Sequence, residues 1–320
     1  MLKISGSKKD LKQTREADQA SRDTSTIILN PDQIQGKDWT TSKVLQTTLG
    51  LKPGESARNI TKKDLLAFNA NIKALRSKVK GGISPSEVIS FSTKDDKTRS
   101  RQQIHTAVPY SMKGGHVYFL TDAGPDSDVA RHNVHIILSE YEIGLAMGTP
   151  LQAAKQTAKG KVKFDCSCKH HTFVFRYIST TMGANSGRPE TGFPKIRNPY
   201  LTGIACKHVL RVMVELDTSI FIWKRIAKMI EADRLKNAGK TTTNRQKTVS
   251  MTQKEANELA KKQASKRRSL DSKRYKDSES DRESIIKAAK SAPKHKIKAR
   301  NDRKPVSKSM DQIDAIYCKT

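Results

Sequence analysis

Read for hydrophobic periodicity, the chain falls into stretches of different character. Residues 1–35 are polar and aperiodic, which predicts an arm ordered only when a partner orders it. Thr41 is placed to cap a short helix carrying Val44, Leu45 and Leu49, stopped by Gly50 and Lys52-Pro53-Gly54. A stronger signal follows. Thr61, with Asp64 three residues on, opens a run in which Leu65, Phe68, Ile72, Leu75 and Val79 recur at spacings of three and four until Gly81-Gly82. The outer face of that helix carries Lys73, Arg76 and Lys78 and reads as solvated surface.

From about residue 87 the period shortens. Val88–Phe91, Ile104–Tyr110, His116–Thr121, Asn133–Ser139 and Lys161–Asp165 are rich in β-branched and aromatic residues and read as strands. Gly114-Gly115 and Gly124-Pro125-Asp126 supply turn chemistry between them, so the simplest arrangement is a small, mainly antiparallel sheet. Tyr141–Ala158 reads as a helix interrupted by Gly144, Gly148 and Pro150. Val209, Leu210, Met213 and Leu216 form an apolar helical stripe, and Ile220, Phe221, Trp223, Ile226, Met229 and Ile230 continue it beyond Asp217-Thr218-Ser219, which predicts two consecutive helices. The fold class is therefore α+β: a sheet with flanking helices and extended basic termini. The organisation is an arm over 1–35, a helical segment over 36–84, a sheet-containing domain over 85–235 and a basic, partly helical tail over 236–320.

Charge changes the picture. Across 320 residues, 61 Lys and Arg face 32 Asp and Glu, a formal net charge of +29 that draws polyanions, nucleic acid foremost, with acidic protein surfaces and anionic membranes as competitors. Residues 241–320 alone hold 22 basic and 10 acidic side chains. That tail cannot bury a core by itself, although Thr252 with Glu255 and Ser280 with Glu283 match the capping box. Lys261, Lys262, Lys266, Arg267 and Arg268 in one helix-forming segment, and Lys294, Lys296, Lys298 and Arg300 in another, are the candidate nucleic-acid contacts. With only Tyr275 and Tyr317 available to stack on bases, contact through phosphate and without sequence preference is the expectation. The first residues carry charge but no apolar stretch, and the longest apolar run, Val209–Leu216, is interrupted by Arg211 and Glu215. The expectation is an intracellular product without a secretion signal, a membrane span or a small-molecule substrate.

In a reducing compartment, closely spaced cysteines point to metal before disulfide. Three of the four cysteines lie in two short motifs: Cys166-Ser167-Cys168 and Cys206-Lys207-His208. Together they offer three thiolates and an imidazole, the donor set that tetrahedral zinc favours. The geometry works if Cys166 and Cys168 end a strand while Cys206 and His208 begin a helix, whose N-terminus favours thiolate. One structural zinc would then pin the 37 residues between Cys168 and Cys206 and contribute on the order of 10 kcal/mol to folding. His170 and His171 are alternatives to His208, which is favoured by its pairing with Cys206 and the apolar helix that follows. His132 and His135 would point to opposite faces of a strand and read as packing or surface residues. Asp165 reads as a turn cap or as orienting Lys169, and Cys318 stands alone.

Cys-x-Cys followed by Cys-x-His, with a β segment before and a helix running on from the histidine, resembles the SWIM-type zinc finger, a family linked to nucleic-acid and protein binding. The gap between the pairs is longer here than is usual for it. Arg188-Pro189 and Pro194-Lys195-Ile196-Arg197-Asn198-Pro199, leading to Cys206-Lys207-His208, also resemble a SWIM-like group of virion-associated proteins of tailed bacteriophages, over roughly residues 85–230. The resemblance implies a SWIM-like, zinc-stapled domain and brings no catalytic residues. With no Gly-rich phosphate loop, nucleophile elbow or paired-carboxylate motif in the chain, the expectation is not an enzyme. It is a structural or assembly protein of a bacteriophage virion, made in the host cytoplasm, whose basic arms contact DNA or other virion proteins. The alternative is an intracellular, sequence-nonspecific DNA-binding or regulatory zinc-finger protein.

Overall fold

β3 (Ala107–Lys113), β4 (His116–Asp122), β5 (Arg131–Leu138), β6 (Val162–Cys166) and the two-residue β7 (Val249–Ser250) pair antiparallel in the order β6-β5-β4-β3-β7. The computed structural model in which they are seen describes residues 4, 7–29, 45–52, 54–78, 82–125, 127–238 and 247–265. β3 turns into β4 at Gly114-Gly115, both at positive φ, and a Cβ on Gly115 would come within 2.9 Å of the Tyr141 side chain. Only glycine suits both the turn and that approach.

Alternation along the strands sends side chains to two cores. Val117 and Phe119 of β4, Val134 and Ile136 of β5 and Phe164 of β6 join the main core, which is completed by α8 (Lys207–Thr218) and α9 (Ile220–Asn237). α8 is the central helix: Val209, Leu210, Val212, Met213 and Leu216 are fully buried, because α3 (Pro85–Phe91) and α4 (Lys94–Gln103) pack on it opposite the sheet. Val108, Tyr110 and Leu120 face the other way and meet Met251, Ala256 and Leu259 of the segment running into α10 (Gln253–Ser265). With both faces covered, β3 buries six of its seven residues.

The α+β class, the mainly antiparallel sheet, the helix at Lys62–Lys78 (α2) and the two consecutive helices α8 and α9 stand as predicted, although Val79 and Gly81 lie outside the described residues. Several elements differ. Val88–Phe91 belongs to helix α3: Ser84 and Glu87 form a reciprocal capping box and Pro85 occupies the first turn, and these outweigh the β-branched composition. Leu45 and Leu49 flank a two-residue strand, β1 (Gln46–Thr47), paired with β2 (Arg58–Asn59), in place of a helix. The reason is tertiary: Thr47 Oγ1 and Thr48 N donate to Lys195 O, at 2.7 and 3.3 Å. Thr41 and Val44 lie outside the described residues. Tyr141–Ala158 splits into α5 (Tyr141–Leu145) and α6 (Pro150–Lys159), the second opened by a Thr149–Gln152 capping box. Helix α4 was not foreseen; its sequence is wholly polar and it is started by Thr93 accepting from Asp96 N.

Both terminal regions also correct the sequence reading. Ser7–Asp23 is a helix, α1, held by charged side chains, with Arg22 and Glu190 in a buried bidentate pair. Leu29 bridges to Phe193 beyond it. At the other end, β7 and α10 are part of the body. Thr252 and Glu255 make the predicted cap, and the Gln263 amide bonds both Ala107 N and Ala107 O, at 2.9 and 3.0 Å, substituting for a strand neighbour at the edge of β3. The predicted cap at Ser280 and Glu283 lies outside the described residues.

His132 and His135 do lie on opposite faces, and both are buried. His135 stacks on Tyr118 at 4.4 Å and shares a 3.0 Å contact with His116. Burial first, with the charges of Arg15 and His116 adding to it, pushes His135 down to about 4, against an ordinary value near 6.5. Between those values the unfolded chain holds a proton that the folded chain does not. Stability therefore falls as pH drops below about 6.5, and the loss is complete below about 4. Chemical denaturation at stepped pH should show His135→Gln losing less stability over this range than the parent, by on the order of 2 kcal/mol.

Candidate metal centre

The sequence places two polar knuckles at element ends, and the fold brings those ends together. β6 terminates at Cys166, opposite Val134 of β5. The turn after it is fixed to β5 by two bonds, Asn133 N to Ser167 Oγ and Ser167 N to Asn133 O, both 3.0 Å. Cys168 leads into a π-helical turn, His171–Phe175, continued by α7 (Arg176–Thr181). From the other side Cys206 is the N-cap residue of α8, with His208 in its first turn, and Ser100 of α4 holds that start by donating to Lys207 O at 2.7 Å.

One ligand atom from each of Cys166, Cys168, Cys206 and His208 lies within 4.8 Å of the others, and all four residues are buried. His208 Nδ1 is 3.9 Å from Cys206 Sγ. Ligands around a single tetrahedral zinc, at about 2.0–2.3 Å from the ion, lie roughly 3.5–3.8 Å apart. The cluster is thus of a size to hold a metal ion, and its three sulfurs and one imidazole are donors for a soft or borderline cation.

The surrounding groups favour thiolate at two of the three sulfurs. Burial raises the Cys206 thiol, but hydrogen bonding to Cys166 and His171 outweighs it and brings the group down to about 6. Cys168 falls well below its ordinary value: burial opposes, while Cys166, Cys206 and the His171 N–H, 3.2 Å from Cys168 Sγ, prevail. Cys166 is pushed well up by burial and by the neighbouring sulfurs. A cation in the cluster supplies the positive charge that these shared protons supply otherwise.

His171 lies against the ligands without being one of the four. Its ring is fully buried, with Nε2 3.3 Å from Asp165 Oδ1. Burial lowers it, but Asp165 and Cys206 raise it to about 9. His170 is partly exposed, edge-on to Phe175 and 3.9 Å from Asp96. His132 packs its ring 4.4 Å from that of His208.

Asp165 does not orient Lys169, which pairs with Asp128 at 3.0 Å on the surface. It is buried instead, between Arg15, Arg176 and His171, at 3.2, 3.5 and 3.3 Å. Although burial opposes it, those partners, His171 foremost, hold its carboxyl far below the usual range. Sequence reasoning missed this second ring of residues. Arg15 stands 150 positions away from Asp165, and no local spacing connects them. Of the candidate nucleic-acid contacts, Lys261 and Lys262 are exposed on α10; Lys266, Arg267, Arg268, Lys294, Lys296, Lys298 and Arg300 lie outside the described residues, as does Cys318.

Set against known proteins, the chain matches no family model, no curated protein and no solved structure. The ligand assignment is checked by substitution: Cys166→Ser, Cys206→Ser and His208→Ala should each abolish stoichiometric metal and lower the melting temperature, whereas His170→Ala and Cys318→Ser leave both unchanged. Metal analysis together with thermal unfolding reads the outcome. Retention of metal by His208→Ala, with loss in His170→Ala or His171→Ala, would reassign the imidazole.

Proposed function

We propose that the chain is a non-enzymatic structural or assembly protein stapled by one zinc ion through Cys166, Cys168, Cys206 and His208, and that it serves in a bacteriophage virion with its basic segments on DNA or on other virion proteins. The observation that carries the structural reading is burial. None of the four ligands is more than 3% exposed, so a metal among them has all its positions filled from within the fold and no side open to a substrate. A catalytic zinc keeps a position for water, and a staple does not. Among the described residues no helix is long and apolar enough to cross a membrane.

The virion reading rests on the resemblance of the insertion, from Arg188-Pro189 through Pro199, and on the charge. A net +29, concentrated partly in the C-terminal stretch of the sequence, is the composition of a protein that meets a polyanion. Gln263, Leu259 and Ala256 are built into the sheet's second face, so Lys266 and the basic residues after it, rather than the whole of residues 241–320, are the part of the tail this reading assigns to phosphate.

Two measurements on the purified protein test this. Plasma mass spectrometry should return one zinc per folded chain, and a value near zero in protein never exposed to chelator defeats the staple. Binding to two unrelated duplexes should be equal and should weaken steeply with salt, log affinity falling by about 0.9 per neutralised phosphate in log salt over roughly five to eight contacts. Truncation after Ser265 should remove most of that affinity while keeping the zinc. Equal affinity with and without the tail defeats the DNA contact.

A further inference from the structure

We propose that α1 is the outer wall of the metal centre, so that docking of this helix and binding of the metal are coupled; the proposal rests on the reading of the cluster as a metal site.

α1 brings little apolar surface to its contact: Leu11 is its one buried large apolar side chain. What holds it is a row of charges at Arg15, Asp18 and Arg22, spaced by three and four along one helical face. Arg15 donates to Asp165 at 3.2 Å. Asp18 accepts from Thr172 Oγ1 at 2.8 and 2.9 Å and pairs with Arg176 at 2.8 Å, with both ionic side chains nearly enclosed. Arg22 grips Glu190 through two nitrogens. Every one of these receptors lies in the stretch from 165 to 190, the strand end and insertion that carry the first ligand pair.

Asp165, Thr172 and Arg176 are also tied to the ligands. Asp165 immediately precedes Cys166. The turn bearing Thr172 and Arg176 is fixed to Cys168 twice, by His171 N on the sulfur at 3.2 Å and by Thr172 N on the Cys168 carbonyl at 3.2 Å. His171 closes the circuit on Asp165. A cation drawing Cys168 toward Cys206 and His208 sets the position of the π-helical turn, and that turn presents the groups that α1 binds. Charge-paired surfaces of this kind are intolerant of displacement, since a buried ion left alone is heavily penalised. Coupling between two binding events is reciprocal: what loosens α1 must weaken the metal, and what removes the metal must loosen α1. Outer-shell partners of metal ligands typically set affinity within 10- to 100-fold.

The test uses the full-length, zinc-loaded chain. Asp18→Ala and Arg22→Gln alter no ligand and should each still bind one zinc at saturation, with a dissociation constant about 10- to 100-fold higher in competition with a chromophoric chelator. Lys12→Ala, which removes only the exposed Lys12–Glu16 pair of α1, should leave it unchanged. Hydrogen exchange provides the reverse arm: chelation of the parent protein should strip protection from residues 7–23 while β4 and β5 keep theirs. Zinc affinity unchanged in both variants, with α1 exchanging freely, overturns the coupling while leaving the metal site standing. Protection of residues 7–23 that is indifferent to chelation, or protection lost everywhere at once, overturns it as well. Absence of zinc from the parent chain removes the metal reading itself and the proposal with it.

Discussion

The geometry of this molecule turns on the junction between the end of β6 and the start of α8. These two ends come from opposite sides of a 37-residue insertion, and their side chains at the meeting point are three sulfurs and an imidazole, groups with little mutual affinity. Three buried thiols in contact share protons awkwardly: Cys166 is driven up while Cys168 and Cys206 are drawn down. A divalent cation resolves this conflict, because it satisfies all three sulfurs together and attracts them to one point. The helix that begins there is the hub of the main core, with sheet on one side and α3 and α4 on the other. The register between sheet and hub therefore depends on a contact that hydrophobic burial alone does not fix.

The parts of this arrangement that were legible from sequence are those in which one rare or periodic feature outweighs its surroundings. Three of four cysteines in two tight motifs announce the ligand set, and long apolar stripes announce α2, α8 and α9. What stayed hidden depends on contacts distant in sequence. α1 and α4 are polar helices whose docking uses ion pairs and hydrogen bonds, so no apolar stripe marks them. The segment at Leu45–Leu49 takes its form from Lys195, and Val88–Phe91 from the cap at Ser84. The start of the tail has too few apolar residues to bury a core alone, and it is ordered because Met251, Ala256 and Leu259 cover the second face of the sheet, a partner that no local pattern reveals.

Within the body, arginine acts as a tie between elements: Arg22 to Glu190, Arg176 to Asp18, Arg225 to both Glu255 and the Ser250 carbonyl, and Arg234 to the carbonyls that end α5. The planar fork of the guanidinium suits that role, since one side chain can satisfy two acceptors at once. Such pairs add less to stability than their number implies, because each ion gives up hydration on burial. Their contribution is to location, since a displaced helix leaves every partner unpaired. From Lys266 onward the sequence carries a further surplus of basic over acidic residues.

The candidate metal centre sits beside the anchorage of α1 and three strands away from that of α10. On its buried side, Asp165, His171 and Arg176 convert the position of the ligands into a receptor for α1. Across the sheet, β3 with Gln263 at its edge anchors α10, from which the basic tail departs. Neither anchorage shares a residue with the ligand set, yet both rely on strands whose placement against α8 the centre sets. Force applied to α10 would therefore enter the sheet at β3, with β4 and β5 between it and the cysteine-bearing end of β6.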